Sequence, residues 1–146
     1  MKTTAFFLCC MVQGWARGLA MLLAVMMFAP HVQGDQTAAV KELGLARGLC
    51  VVLGDPQCEL ALKLARETEL LLYLQLPDAG AVETARRAAD AAGFYGTRIF
   101  IEQGPATRLF LADNLADGLI ANGDAAGFPE AEALRVLHPR GKALLG

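Results

Sequence analysis

From residue 47 onward, apolar runs alternate with segments in which apolar residues recur every third or fourth position. The apolar runs are rich in residues that favour β-strands, and turn residues follow several of them, as at Gly54-Asp55-Pro56. They predict strands over residues 47–53, 70–76, 98–102, 117–121 and 142–145. The intervening segments predict amphipathic helices over residues 57–68, 81–92 and 129–137, and residues 35–46 are a helix-compatible lead-in.

The regular alternation of strands and helices defines the fold class. It predicts an α/β domain with a doubly wound, mostly parallel sheet, helices on both faces and right-handed crossovers. Ligands of such folds bind at the carboxyl ends of the strands, where turns lead into helices. The first of these turns, residues 53–60, contains only one glycine, Gly54. The G-x-G-x-x-G fingerprint of dinucleotide binding is therefore absent.

The N-terminal part of the chain has a separate character. Residues 18–29 (GLAMLLAVMMFA) form a short apolar run that Arg17 precedes, a pattern typical of a signal peptide. Cleavage after Gly34 would remove residues 1–34 and leave a domain of residues 35–146. The alternative, an uncleaved membrane anchor, needs about 20 continuous apolar residues, and Arg17 interrupts any longer run. We therefore expect an exported protein, periplasmic or secreted, without a stable membrane span after cleavage.

Composition and charge exclude several classes of function. The chain has 146 residues, of which 55% are hydrophobic and 19% charged, as expected of a globular domain. Its net charge of -2 and the absence of a Lys/Arg cluster argue against nucleic acid as a partner. No set of Ser, His and Asp and no carboxylate pair suggests catalytic residues, so none is predicted.

The cysteines and histidines do not indicate a metal site. Cys9 and Cys10 are expected to be removed with the signal peptide, which leaves Cys50 and Cys58. Two buried free thiols are favoured over a disulfide, although an exported protein could form one. The histidines are His31 and His138, and we interpret His138 as a turn residue. The sequence contains no C-x-x-C motif.

Four segments, in this order, resemble class I S-adenosylmethionine-dependent methyltransferases: VVLGDPQCEL, LYLQLPDAGAVETARRAA, LFLADNLADGLIA and ALRVLHPRGKALLG. The resemblance covers residues 48–146. Two parts are the most specific. Ala112-Asp113-Asn114 with Asp117 is similar to the family's loop before strand four. Residues 134–141 are similar to the family's turn before strand five. The resemblance implies a five-stranded Rossmann-like sheet. The chain is also similar to a methyltransferase-like region that precedes a quinoprotein-type β-propeller in some large exported bacterial proteins.

The first cofactor motif of the family is altered in this chain. By the resemblance, Val52 stands at the position of the acid near the end of strand one. Gly54 keeps the first of three spaced glycines, whereas Pro56 and Cys58 replace the other two. A close approach between the backbone and a cofactor is therefore not expected.

The two later acids of the family are replaced as well. The acid that ends strand two and holds the ribose hydroxyls would fall at Leu76, beside Gln75 and Asp78. The acid after strand three would fall at Pro105, between Gly104 and Ala106. A leucine cannot accept hydrogen bonds, and losing a charged acceptor costs about 1.5–3 kcal/mol.

Some polar turn residues are candidate replacements for these acids. Asp55 and Asp78 lie on turns at the ligand edge, although turn aspartates often bond only to local backbone. Asn122 follows strand four, where many family members hold the substrate, although Asn-Gly is also a common turn. The candidate cofactor-binding residues are therefore Gly54, Asp55, Leu76, Asp78, Gly104, Ala106 and Asn122.

The resemblance also implies how the sheet ends. The family sheet continues past strand five into an antiparallel pair, whereas this sequence stops at Gly146. We therefore expect a truncated fold that lacks those last two strands. Strand five would be an edge open to a protein partner or to missing C-terminal sequence.

Two features favour a non-catalytic function. The three acids are missing together, and S-adenosylmethionine is made in the cytoplasm rather than outside it. We expect an exported non-catalytic domain with no cofactor, an interaction or packing module or a remnant of a larger protein. The alternatives are an S-adenosylmethionine-dependent methyltransferase with an atypical pocket, another small-ligand binder on this fold, and a degraded gene product that folds poorly.

Overall fold

A computed structural model describes residues 42–146, and its central feature is a five-stranded sheet in which every strand is parallel to its neighbours. The strands are β1 (Arg47–Leu53), β2 (Glu69–Leu76), β3 (Ile99–Gln103), β4 (Ala116–Ala121) and β5 (Leu137–Leu145). Their order across the sheet is β3-β2-β1-β4-β5. The winding direction reverses beside β1, which makes the sheet doubly wound, as predicted.

Helices cover the two faces of the sheet. Helices α1 (Glu59–Glu67) and α2 (Ala79–Ala91) pack on what we call the first face, and α3 (Glu130–Val136) packs on the second face. Apolar residues recur along α1 at helical spacing, so that one side of the helix is buried. The predicted α/β architecture with helices on both faces is confirmed.

The central strand β1 is buried on both faces. Cys50 and Val52 belong to the core of the first face, whereas Val51 and Leu53 belong to the core of the second face. A strand that is buried on both faces appears in the sequence as a continuous apolar run, and this is why β1 was predicted correctly. Cys50 and Cys58 are free and buried, as expected, and burial raises the pKa of each thiol to about 12.

Several predicted boundaries were wrong by a few residues because tertiary contacts determine them. Strand β2 begins at Glu69, one residue before its predicted start at residue 70. Glu69 pairs with Arg47 in register, and the two side chains form an ion pair of 2.6 Å. Helix α2 begins at Ala79 rather than residue 81 because the carboxylate of Asp78 accepts a hydrogen bond from the amide of Ala81 (2.7 Å). Helix α1 begins at Glu59, two residues late, for a reason given below.

Strand β5 differs most from the prediction. It begins at Leu137 rather than residue 142 and contains a bulge. Leu137 pairs with Ala116 and Lys142 pairs with Gly118, so residues 138–141 oppose a single residue of β4. The interpretation of His138 as a turn residue was therefore wrong, because His138 lies exposed in this bulge within the strand.

Of the two connections beside β4, only the one after it contains an element that was not predicted. Residues 104–115 link β3 to β4 as a loop without a helix, and a short 3-10 helix, Gly123–Ala125, follows β4. The proposed signal peptide, with Cys9, Cys10 and His31, lies outside the described residues. Within residues 42–146, no helix is long and apolar enough to cross a membrane, and no group of three metal-ligating side chains occurs.

Candidate functional site

A cleft of about 160 Å³ opens at the carboxyl ends of β1 and β2. This is the edge at which open α/β sheets bind ligands. Four of the candidate residues line the cleft: Gly54, Leu76, Asp78 and Ala106. Asp55, Gly104 and Asn122 do not line it. The structure therefore brings together part of the predicted set.

The ends of β1 and β4 are in close contact beside the cleft. Gly54 has a φ of +75°, and a Cβ at this position would overlap the carbonyl oxygen of Asn122. The amide of Asn122 donates a hydrogen bond to the carbonyl of Leu53 (3.1 Å). The need for glycine at residue 54 is thus explained by packing against the backbone, and Asn122 contributes to that packing.

Asp55 serves helix α1 and does not face the cleft. Its carboxylate accepts hydrogen bonds from the amides of Glu59 and Ala61, both at 2.9 Å. These bonds satisfy free N–H groups at the start of the helix, and they place its first residue at Glu59 rather than residue 57. Burial raises the pKa of Asp55, and the hydrogen bonds from the two amides act in the opposite direction.

Cys58 has the backbone conformation of a glycine. Its φ and ψ are 60° and 20°, in the left-handed region that other residues enter at a cost of about 1–2 kcal/mol. By the resemblance described above, a family glycine would stand here. The backbone turn of that motif is therefore present although its glycine is replaced. The Cys58 side chain is fully buried in the core of the first face.

Gln75 is the residue that sequence reasoning underestimated. Its side chain, 3% exposed, donates hydrogen bonds to the carbonyls of Pro105 (2.8 Å) and Arg108 (2.6 Å). Its carbonyl oxygen accepts hydrogen bonds from the Tyr73 hydroxyl and the Phe110 amide, both at 3.1 Å. The signal in the sequence was a single amide in the apolar run of β2. Gln75 therefore fixes the loop that carries one wall of the cleft.

Gly104 belongs to the same packing arrangement. A Cβ on Gly104 would lie 2.7 Å from the Gln75 side chain and 2.8 Å from the ring of Phe110. Gly104 therefore allows the loop to pack closely on Gln75, and it is Ala106, two residues further on, that lines the cleft.

A second set of hydrogen bonds fixes the far part of this loop to α3. The guanidinium of Arg135 donates to both carboxylate oxygens of Glu132, to Asp113 and to the carbonyls of Leu109 and Leu111. Glu132 also accepts a hydrogen bond from the amide of Leu109 (2.9 Å). The hydrogen bonds from Arg135 lower the pKa of Glu132 to about 2. All five N–H groups of Arg135 are used, so its role is structural.

The electrostatics of the cleft come from two acids. Asp78 and Asp124 are its charged lining residues, and no basic side chain among residues 42–146 lines it. Asp124 lies in the 3-10 helix after β4, and the sequence offered only an Asn-Gly-Asp turn as a signal. The other lining residues include Pro56, Pro77 and Ala125, so the walls are mostly apolar. The cleft is therefore unsuited to a phosphate group.

Comparison with known proteins identifies the fold. No protein-family model matches the sequence, and no curated protein is similar enough to match. Solved structures do match. One is described as an S-adenosylmethionine-dependent methyltransferase from Aquifex aeolicus. It shares 18% identity with this chain at a TM-score of 0.62, and the matched region covers 72% of this chain. A second, from Geobacter sulfurreducens in complex with S-adenosylhomocysteine, shares 21% identity at a TM-score of 0.61 and covers 74%.

The match to these structures is partial. This chain covers 59% of the Aquifex protein and 45% of the Geobacter protein, so it spans about half the length of the structures it matches. The cyclase SpnF is similar too, at 25% identity and a TM-score of 0.62, over 70% of this chain and 40% of SpnF. Together, the strand order, the cleft and these matches show that residues 42–146 have the Rossmann-like α/β fold of class I S-adenosylmethionine-dependent methyltransferases.

Proposed function

We propose that this chain is a non-catalytic methyltransferase-like domain that acts as an interaction module. The observation that carries the proposal is Leu76, an apolar side chain at the end of β2 that lines the cleft and is 3% exposed. By the family resemblance, an acid at this position would hold the ribose hydroxyls of the cofactor. Its loss costs about 1.5–3 kcal/mol, which corresponds to roughly ten- to a hundredfold in affinity.

The dimensions of the cleft support the same proposal. Its volume of about 160 Å³ is below the range of about 300–1,000 Å³ usual for small-molecule sites. On the side of Gly54 where a Cβ would stand, the carbonyl oxygen of Asn122 fills the space, so no ligand group can approach the backbone from that side. We therefore propose that the domain works without a cofactor.

The alternative function is that of an S-adenosylmethionine-dependent methyltransferase with an atypical pocket. Two observations favour it. The Geobacter structure, by its description, contains S-adenosylhomocysteine on the same fold. Asp78 presents an exposed carboxylate on the cleft, close in sequence to the missing acid. In this case S-adenosylmethionine would be the cofactor.

The cofactor question is decided by calorimetric titration of the full chain with S-adenosylmethionine and S-adenosylhomocysteine, after circular dichroism has verified a cooperative fold. We expect no binding up to millimolar ligand. The variant Leu76→Asp restores the acid, and Leu134→Asp, on the exposed side of α3, is its matched control. Micromolar binding by the unaltered chain would refute the proposal in favour of the methyltransferase.

We further propose that the domain is exported and that β5 is where it meets a protein partner or further C-terminal sequence. Within the described residues, β5 pairs only with β4, so its outer backbone groups are unpaired, and an edge strand of this kind favours pairing. N-terminal sequencing of the protein recovered outside the cytoplasm tests export. We expect the first residue to be Asp35, and an intact Met1 in the cytoplasm would contradict it.

A further inference from the structure

Asn122 and Gly123, directly after β4, form a dipeptide that the proposed function leaves unused. Strand β4 ends at Ala121, and Gly123 begins the 3-10 helix. The sequence contains two asparagines, and the other one, Asn114, precedes Leu115. Asparagine is thermolabile because its side-chain amide reacts with the backbone amide nitrogen of the next residue. Glycine has no side chain to obstruct that nitrogen, so Asn122 is the asparagine whose sequence favours the reaction.

Both reacting groups of this dipeptide are free of competing hydrogen bonds. The Asn122 side chain does not cap the 3-10 helix and bonds to no other residue among 42–146. The Gly123 amide likewise donates no hydrogen bond to this part of the chain. Gly123 is exposed, and a Cβ placed on it would meet no atom within 4 Å apart from its chain neighbours. The amide nitrogen and the side-chain carbon that it attacks are therefore available to each other.

A similar dipeptide inside β4 shows what restraint by the fold looks like. Asp117-Gly118 also places a side-chain carbonyl before a glycine. The carboxylate of Asp117 accepts a hydrogen bond from the Leu49 amide (2.9 Å), and Gly118 is paired with β1 on one side and β5 on the other. The sheet therefore holds this dipeptide in place. Asn122-Gly123 lies beyond the end of the strand, and its side chain has no such bond within the described residues.

The backbone of Asn122 is held more firmly than its side chain. Its amide donates to the carbonyl of Leu53 (3.1 Å), and its carbonyl accepts from the amide of Ala125 (3.0 Å). Ring closure turns the bond between Cα and the carbonyl carbon of Asn122, so these two hydrogen bonds oppose it. They involve neither the Gly123 nitrogen nor the side-chain carbon of Asn122. We therefore expect a slower reaction than in a free peptide, but one that proceeds in the folded chain.

We propose that Asn122 is a site of spontaneous deamidation. The Gly123 nitrogen loses its proton to solvent base and attacks the side-chain carbon Cγ of Asn122. A bond forms between these two atoms, the bond from Cγ to Nδ2 breaks, and ammonia leaves with a proton taken from water. Water then opens the cyclic imide at either carbonyl, which gives aspartate or isoaspartate. The reaction needs no cofactor and no partner, so it is independent of the proposed function.

The two products change the domain in different ways. Either one adds a negative charge where the neutral amide stood, beside Gly146, because a Cβ on Gly146 would lie 3.6 Å from the Asn122 side-chain oxygen. Isoaspartate also carries the chain through the side chain, which lengthens the backbone. The added carbon falls where the Asn122 carbonyl oxygen packs against Gly54. The isoaspartyl form should therefore lose the contact between the ends of β1 and β4, whereas the aspartyl form keeps it.

Peptide mapping by mass spectrometry tests the proposal on the full chain, incubated without denaturant in mildly alkaline buffer. The Asn122 peptide should progressively lose its amide, and the released ammonia should match the loss, while the Asn114 peptide stays intact. Gly123→Ala should slow the loss severalfold, because the added methyl group obstructs the nitrogen. Gly127→Ala, at another exposed glycine with open space around it, should leave the rate unchanged.

The consequence for the fold is measured on the separated products. The isoaspartyl form, isolated by ion exchange, should unfold at a lower urea concentration than the unaltered chain. Asn122→Asp is its matched control, because it carries the charge on a backbone of normal length, and it should keep the original midpoint. An isoaspartyl form as stable as Asn122→Asp would contradict the expected loss of the contact with Gly54.

Other outcomes would overturn the proposal. A synthetic peptide of residues 117–127 gives the rate without the fold. If this peptide reacted while the folded chain stayed intact until urea was added, the bonds to Leu53 and Ala125 would block the reaction. Equal loss of amide at Asn114 and Asn122, or an unchanged rate in Gly123→Ala, would show that the free glycine nitrogen has no part in it.

Discussion

Replacing Gln75 by leucine should loosen the loop that follows β3 without opening a hole in the sheet. Leucine has a similar volume, so the main loss is of hydrogen bonds. The carbonyls of Pro105 and Arg108 lose a donor, and the Phe110 amide and the Tyr73 hydroxyl lose an acceptor. Each such bond contributes about 0.5–1.5 kcal/mol, so four together amount to roughly 2–6 kcal/mol of the free energy of unfolding.

Urea denaturation followed by circular dichroism measures this loss, and hydrogen exchange locates it. The Phe110 amide should lose most of its protection in Gln75→Leu, whereas amides in β1 should exchange at a rate set by global unfolding. The matched control is Gln103→Leu, because Gln103 is exposed and its one hydrogen bond, to Pro77, is 3.4 Å long. The control should change stability by less than about 0.5 kcal/mol. If the two variants were equally stable and Phe110 stayed protected, Gln75 would not be what holds the loop.

Three further predictions concern other parts of the fold. Gly54→Ala should cost about 2 kcal/mol or more in urea denaturation, because its Cβ would overlap the carbonyl of Asn122 at a positive φ; an unchanged midpoint would contradict this. The folded-state pKa of Glu132 is about 2, below its ordinary value of 4.5, so its charge stabilises the fold above about pH 4.5. That contribution should disappear as the pH falls from 4.5 towards 2, and Glu132→Gln should flatten the profile of stability in this range. Cys50 and Cys58, each with a thiol pKa of about 12, should resist iodoacetamide at pH 8 until urea unfolds the protein, and mass spectrometry of the labelled peptides would reveal any earlier reaction.

Much of the fold could be predicted because its central strand, β1, is buried on both faces. The run of residues 49–53 is apolar throughout, and Gly54-Asp55-Pro56 ends it clearly. The bulge at residues 138–141 could not be predicted, because it depends on how β5 aligns with β4 and not on any local propensity. The loop after β3 is fixed by hydrogen bonds from Gln75 in β2 and from Glu132 and Arg135 in α3, and no local pattern indicates these contacts.

The candidate site was predicted in part for a similar reason. Gly54, Leu76 and Asp78 line the cleft because each directly follows or ends a parallel strand, which the sequence identifies. Asp55 is also on such a turn, yet its carboxylate points to the amides of α1. Which way a turn carboxylate points depends on the start of the following helix, and that start was placed two residues too early. The hydrogen bonds between Gln75 and the loop after β3 join residues 30 or more positions apart, beyond what a local pattern indicates.

The order of the strands has a consequence for how the protein folds. The central strand β1 pairs with β4, and the Leu49 amide bonds to a carboxylate oxygen of Asp117, 68 residues later. At a synthesis rate of about 5–20 residues per second, roughly 3 to 14 seconds pass between these two residues leaving the ribosome. During that interval one edge of β1 has no native neighbour, so a strand whose last four residues are buried in the finished sheet is exposed to other chains. Aggregation of the nascent protein should therefore begin at β1, and folding should be slow for a domain of this size.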